Sequence, residues 1–213
     1  MTRNLTIFTV NHDTPEFVYT LVSSYVKHNS DWLDVKISII DNSVKSNTFI
    51  DGEYRNFTVE SFDKSLYDCL KLYSKTSKDP TLASAHHALT IDWFIKNRVN
   101  TDYLLLVDSD IVFTRSFENE YKEFMNSNYI MSGYKRTTYV KPCIAPWACF
   151  INMQQVKQYK LNYFDINRIL YVNGNSQYDT GGSFYEDCIN ARMQCQRIRK
   201  RQYFLFAYET AEV

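Results

Sequence analysis

With 213 residues, 45% of them hydrophobic and 23% charged, the chain has enough apolar mass for a folded core, which argues against intrinsic disorder. Lys plus Arg and Asp plus Glu balance at 24 each, so no global field draws the protein to nucleic acid or an anionic membrane. No linker-like stretch, internal repeat or low-complexity tract divides the sequence, which excludes solenoids and points to a single domain.

The elements alternate along the chain. Residues 5–11 (LTIFTVN) are rich in β-formers and predict a strand. Thr14-Pro15-Glu16 then starts a helix running to about His28, with proline in its first turn. A second strand over 35–41 (VKISIID) ends in the turn cluster Asp41-Asn42-Ser43. A third short strand is expected over 56–62, and apolar residues at helical spacing follow over 66–73. Over 82–96, Leu82, Ala85, Leu89 and Trp93 fall near one helical face, and that helix leads into a strand over 103–107. Beyond it, the pattern predicts a helix near 118–126, a strand at 129–132 and another at 147–151. Asp179-Thr180-Gly181-Gly182 then introduces a polar helix over 183–194, with Asp179 or Thr180 as its cap, bearing Glu186 and Asp187.

Five cysteines, Cys69, Cys143, Cys149, Cys188 and Cys195, are odd in number and lack Cys-x-x-Cys spacing. No secretory leader and no apolar run of membrane-spanning length is recognised, so reduced thiols and a cytoplasmic location are expected. Cys143 and Cys149 read as small buried hydrophobes, and Trp147 as a core residue at a strand start.

Residues 102–110 (DYLLLVDSD) carry the clearest chemical signal. Continuous hydrophobicity suits a strand covered on both faces, as in a parallel α/β sheet, and such sheets bind ligands beyond their strands' carboxyl ends. Asp108 and Asp110 fall at that edge. Two hard oxygen donors with one spacer can hold Mg²⁺ or Mn²⁺ and leave positions open for a diphosphate. A solvated strand-to-loop turn is the competing reading of the same residues.

Five segments in order resemble the nucleotide-sugar glycosyltransferases of the GT-A fold, most like the family 2 type. They are Thr9-Val10-Asn11 with Thr14-Pro15, Asp41-Asn42-Ser43, Ser84-Ala85-His86-His87-Ala88 with Asp92-Trp93, Asp108-Ser109-Asp110, and Asp179-Thr180-Gly181-Gly182 with Glu186-Asp187. The resemblance implies a Rossmann-like α/β single domain with a mixed, mostly parallel sheet flanked by helices. Residues 1–110 would form its nucleotide-binding half and 111–213 its acceptor half. It also implies transfer of a sugar from a nucleoside-diphosphate donor, with UDP favoured, to an acceptor hydroxyl with inversion. Thr9, Val10, Asn11, Asp41 and Asn42 would lie beside the nucleoside, where a carboxylate can accept the base's imide N–H. Ser84, His87 and Ser109 would also face the donor, while Asp108 and Asp110 would hold Mn²⁺ or Mg²⁺. Asp187, Glu186 and Asp179 are the candidate general bases.

Two departures stand out. All four histidines, His12, His28, His86 and His87, precede Asp108, whereas many relatives place a late histidine on the metal or diphosphate. The basic partner of the leaving phosphate is not singled out among Lys135, Arg136 and Lys141.

Two rivals stay open at this point. A nucleotidyltransferase also wants paired aspartates, but residues 10–16 supply neither glycine nor a Lys or Arg for a phosphate loop. A catalytically inactive relative would retain nucleotide-sugar binding alone. Arg192, Arg197, Arg199, Lys200 and Arg201 read either as a solvated element end or as a footprint for an anionic partner, making a nucleic acid or lipid-linked acceptor an alternative to a glycan.

Overall fold

The computed structural model describes residues 4–44, 49, 51–71, 81–136, 143–169, 178–197 and 205–207. Its first strand, β1 (Leu5–Asn11), explains its own composition. Leu5 and Ile7 enter one core while Phe8 and Val10 enter another on the opposite face of the sheet, so both faces demand apolar side chains. α1 (Pro15–Asn29) follows and buries Val18, Leu21, Val22 and Tyr25 against the first of those cores. β2 (Ile37–Asp41), β3 (Gly52–Glu53) and β4 (Phe57–Ser61) extend the sheet on this side. The stretch expected as one helix over 66–73 is a 3-10 turn at Lys64–Tyr67 running into the short α2 (Asp68–Lys71); residues 72 and 73 lie outside the described residues.

α3 (Thr81–Asn97) crosses the other face, and β5 (Tyr103–Val107) returns through the centre. The buried face of α3 is Ala85, Ala88, Ile91, Phe94 and Ile95, with Leu89 and Trp93 packed at its margin. Phe94 stacks on Phe8 of β1 with ring centroids 3.8 Å apart, which fixes the helix over the sheet. β5 repeats the two-core logic of β1, sending Leu104 and Leu106 to one side and Leu105 and Val107 to the other.

The second half adds β6 (Ile111–Phe113), α4 (Glu118–Met125), β7 (Tyr129–Arg136), β8 (Cys143–Asn152), α5 (Met153–Gln158), α6 (Ile166–Ile169), α7 (Gly182–Asn190), β9 (Gln194–Arg197) and β10 (Leu205–Ala207). Among the described residues the main sheet has eight strands in the order β3-β4-β2-β1-β5-β8-β7-β9, and β6 pairs with β10 in a separate ribbon. β4, β2, β1 and β5 run parallel; β8 lies antiparallel to both β5 and β7, while β9 is parallel to β7. The sheet is therefore mixed. At the β7–β8 irregularity, Gly133 approaches so closely that a Cβ there would lie 2.7 Å from the Ala148 carbonyl oxygen.

α7 differs from expectation at both ends. Its cap is Gly181, in the left-handed region at φ 79°, rather than Asp179 or Thr180, because the Asp179 carboxylate is drawn away to other donors. It ends at Asn190, where Arg192 at φ 58° turns the chain into β9. None of the five cysteines forms a disulfide, and Cys143 and Cys149 are buried as expected. Trp147 is half-buried and packs against Tyr134 at 5.1 Å rather than entering the core fully. Among the described residues, no helix is long and apolar enough to cross a membrane.

Candidate active site

Because β2, β1 and β5 are parallel, their carboxyl ends share one edge of the sheet, and Asp41, Asn11 and Asp108 arrive there together. The β1–β2 corner is held by side chains. Asn11 Nδ2 donates to Asp41 Oδ1 at 2.8 Å and to Ser43 Oγ at 2.9 Å. Ser43 donates its backbone N–H (3.2 Å) and its hydroxyl (2.5 Å) to the same Asp41 oxygen. Asp41 Oδ1 thus accepts three hydrogen bonds. Ser43 belongs to the turn cluster and bonds Asp41 locally, yet its bonds to Asn11 and Asp13, 32 and 30 residues away, are invisible in sequence.

An aromatic and imidazole wall rises beside this corner. His12 Nδ1 donates to the Asn42 carbonyl at 3.1 Å, and His86 stacks on Tyr67 at 4.1 Å. Burial, with His12 adding to it, holds His86 below its usual range. The Tyr67 hydroxyl bonds Thr90 Oγ1 at 2.6 Å, and burial pushes its pKa up to about 12. Thr9 is fully buried, its hydroxyl without a hydrogen-bond partner among the described residues, so it sits in the wall and not at the open rim. Val10 and Asn42 are likewise almost fully buried.

Asp108, Ser109 and Asp110 form the turn out of β5, each partly exposed. The Asp108 N–H reaches the Trp147 carbonyl at 3.4 Å and the Ile111 N–H donates to the Asp108 carbonyl at 3.3 Å, which pins the turn between β8 and β6. Burial raises the Asp110 carboxyl above its ordinary range. α3 delivers His87 to the same place, with Nε2 3.8 Å from Asp108 Oδ1 and the ring 26% exposed. Burial drives His87 down to about 4 against the opposing pull of Asp179, so the ring is neutral at pH 7.

One turn earlier on α3, Ser84 donates to Asp179 Oδ1 at 2.8 Å, and the Thr180 hydroxyl returns a 3.2 Å bond to the Ser84 carbonyl. These bonds tie the loop before α7 to the rim. Below lies Tyr163, fully buried, its N–H held by the buried Asp92 at 2.8 Å and its hydroxyl without a partner among the described residues. Its phenol is pushed well above its usual range by burial and by the charges of Asp108 and Asp179.

The three carboxylates expected as bases are divided between two places. Asp179 joins the rim through Ser84. Asp187 and Glu186 belong to a second cluster, built around Arg168. Its guanidinium grips both oxygens of Asp187 at 2.8 and 2.6 Å, reaches Asp165 at 2.7 Å and approaches Glu186 at 3.4 Å. The Tyr178 hydroxyl donates to Glu186 at 2.5 Å. Neither Arg168 nor Tyr178 carried a signal in the sequence, since nothing in local spacing marks a residue that pairs across 19 positions.

Of the candidate phosphate partners, Lys135 lies 5.7 Å from the Tyr185 ring centre; Lys141 and the side chain of Arg136 lie outside the described residues. So do Arg199, Lys200 and Arg201. Among the described residues, no group of three or more His, Cys, Asp or Glu side chains is placed to hold a metal ion. The donors present at the rim, carboxylate oxygens with an adjacent imidazole, suit an ion that takes its remaining coordination from a diphosphate and water, the arrangement Mg²⁺ and Mn²⁺ favour.

The sequence matches no family model and no curated protein. The structure is similar to that of the galactosyltransferase LgtC, with a TM-score of 0.57 at 9% identity over 92% of this chain and 74% of that one. Mouse xyloside xylosyltransferase 1 gives 0.54 at 7% identity, covering 91% of this chain and 84% of that one. The bifunctional glycosyltransferase WbbM gives 0.56 at 10%, covering 93% and 39%. The chain has the GT-A fold. In GT-A terms, the rim of Asp41, Asp108 and Asp110 lies at the strand ends where an open α/β sheet receives its ligand, and β8, β7 and α7 flank it. At these identities the likeness is one of fold.

Proposed function

We propose that this protein is a metal-dependent glycosyltransferase that moves a sugar from a nucleoside-diphosphate donor, UDP in the first instance, to an acceptor hydroxyl. The observation that carries the reading is the gathering of Asp41, Asp108, Asp110, His87 and Asp179 along one edge of a GT-A sheet. Asp41, whose Oδ1 accepts three hydrogen bonds, offers its other oxygen to the imide N–H of a uracil. Asp108 and Asp110 would hold Mn²⁺ or Mg²⁺, which when bound offsets the charge developing on a departing diphosphate. Asp179 is the base we favour. Ser84 and Thr180 orient its carboxylate beside the rim, whereas Asp187 is occupied at both oxygens by Arg168 and serves to fix α7. A single displacement with Asp179 receiving the acceptor proton inverts the anomeric centre.

The test is a thermal-shift panel of UDP, GDP, CMP and dTDP with and without Mn²⁺, followed by mass spectrometry of donor hydrolysis across UDP-sugars. Stabilisation that needs UDP and Mn²⁺ together, with slow release of UDP from one donor, supports the reading. Binding without hydrolysis or transfer from any donor favours the inactive relative. No nucleotide response in the whole panel removes the proposal.

A further inference from the structure

We infer that the edge of the sheet opposite the rim carries a second binding site, a groove whose lining takes a neutral saccharide. The groove holds about 330 Å³ and is walled by the α4–β7 junction, the end of α5 and the turn from α7 into β9. Tyr129 and Gln194 pair at the starts of β7 and β9, and Asn152 pairs with Tyr103 at the start of β5. The five residues of β5, about 17 Å of strand, therefore stand between this edge and Asp108. Occupancy of the groove does not depend on donor chemistry at the rim.

Its lining is chemically selective. Four carboxamides, Asn128, Gln155, Gln158 and Gln194, surround it with one cation, Arg192, and no carboxylate among the described residues. Gln155 Nε2 donates to the Asn128 carbonyl at 3.3 Å, while the side chains of the other three amides and of Arg192 have no hydrogen-bond partner among the described residues. A carboxamide presents a donor and an acceptor in one plane, which matches a pair of neighbouring hydroxyls. Tyr159, 50% exposed at the end of α5, adds an aromatic face for the C–H side of a sugar ring. A polyanion would call for more than one cation, and an apolar ligand for a less polar lining.

The backbone presents these side chains under strain. Of the three non-glycine residues with positive φ among the described residues, Lys160 at 52° and Arg192 at 58° flank the groove. Each follows a helix end, where glycine is the unstrained choice. Arg192 nonetheless keeps its side chain on the groove.

The experiment is a ¹H–¹⁵N NMR titration of the whole protein with maltotetraose, cellotetraose, chitotetraose and mannotetraose, read at the side-chain amides of Gln155, Gln158 and Gln194. At least one of these saccharides should shift those amides. Its affinity should fall about three- to tenfold in Tyr159→Ala and be retained in Tyr159→Phe, which keeps the ring. Arg192→Gly should weaken binding without lowering the melting temperature, since it relieves the left-handed position. Should Tyr159→Ala fail to fold by circular dichroism, Gln158→Ala is read in its place. Shifts confined to the rim, an affinity unchanged in Tyr159→Ala, or no response to any of the four saccharides overturns the inference. Saccharide shifts at the groove in a chain that shows no response to UDP with Mn²⁺ sustain the inference and remove the enzyme reading; the reverse pattern does the opposite.

Discussion

Arg168 and Asp187 are joined by two parallel N–H···O contacts, 2.8 and 2.6 Å long, between α6 and α7. Both side chains are largely withdrawn from solvent, at 24% and 30% exposure. A fork of this kind orients as well as attracts. A double-mutant cycle of Arg168→Met and Asp187→Asn, read by denaturant unfolding, should give a coupling of about 1–3 kcal/mol. Either single change should lower stability more than it lowers kcat of any residual transfer. If Asp187→Asn instead abolishes turnover in a fully stable protein, Asp187 and not Asp179 is the base.

Asp179→Asn should behave in the opposite way. The amide can still accept from Ser84 and Thr180, so folding and nucleotide-dependent stabilisation should persist. Transfer should fall by about 10²-fold or more, the usual contribution of a positioned base. Rapid-quench measurement with the donor identified by hydrolysis screening checks this; undiminished transfer would place the base elsewhere.

Asp110→Asn separates metal from fold. Burial holds this carboxyl above its ordinary range, so the ionised form is disfavoured in the native state, and neutralising it should leave the metal-free melting temperature unchanged or higher near neutral pH. That advantage should fade as pH falls below the carboxylate range, where the wild-type residue is protonated in both states. The Mn²⁺-dependent part of UDP stabilisation, worth about 2.7 kcal/mol at a hundredfold excess over Kd, should disappear.

Tyr67 sets an alkaline limit. Its pKa is raised from 10.0 to about 12, so stability is whole below pH 10 and lost as pH rises toward 12, because the unfolded chain ionises first. Tyr67→Phe should flatten this limb while costing about 1 kcal/mol at pH 8 for the lost bond to Thr90. Spectrophotometric titration should lose one late-ionising tyrosine.

Gly181→Ala should destabilise by about 1–3 kcal/mol, since the position is left-handed and a Cβ would stand 2.8 Å from the Tyr163 hydroxyl. Tyr163→Phe alone should be neutral or stabilising, because it removes a buried hydroxyl that has no partner among the described residues. Combined, the two should be less harmful than their sum, with only the backbone strain remaining.

The rim was legible in the sequence because a strand covered on both faces is a continuous apolar run, and the polar residue that ends it has to surface at the sheet edge. Residues 5–11, 35–41 and 102–110 all announce themselves in this way. Strand β8 was only half visible: Trp147 to Ile151 is apolar, but the segment from Cys143 depends on pairing with β7 rather than on local pattern. The ribbon of β6 with β10 depends on a partner more than 90 residues away and left no local trace. The Arg168 cluster and the Ser84–Asp179 bond were hidden for the same reason, since sequence spacing reports neighbours along an element and not neighbours brought together by packing.

Strand β5 is flanked on one side by β1 and on the other by β8, which comes from the distal half of the chain. A fragment truncated at Asp110 would leave Tyr103–Val107 as a bare border, its amides unsatisfied and its leucines offered to any passing strand, an aggregation hazard more than a smaller nucleotide binder. The carboxylates at its tip would lose the Trp147 carbonyl that braces their turn. The two halves of the chain are therefore not separable modules to be swapped or expressed apart; each is the other's scaffolding.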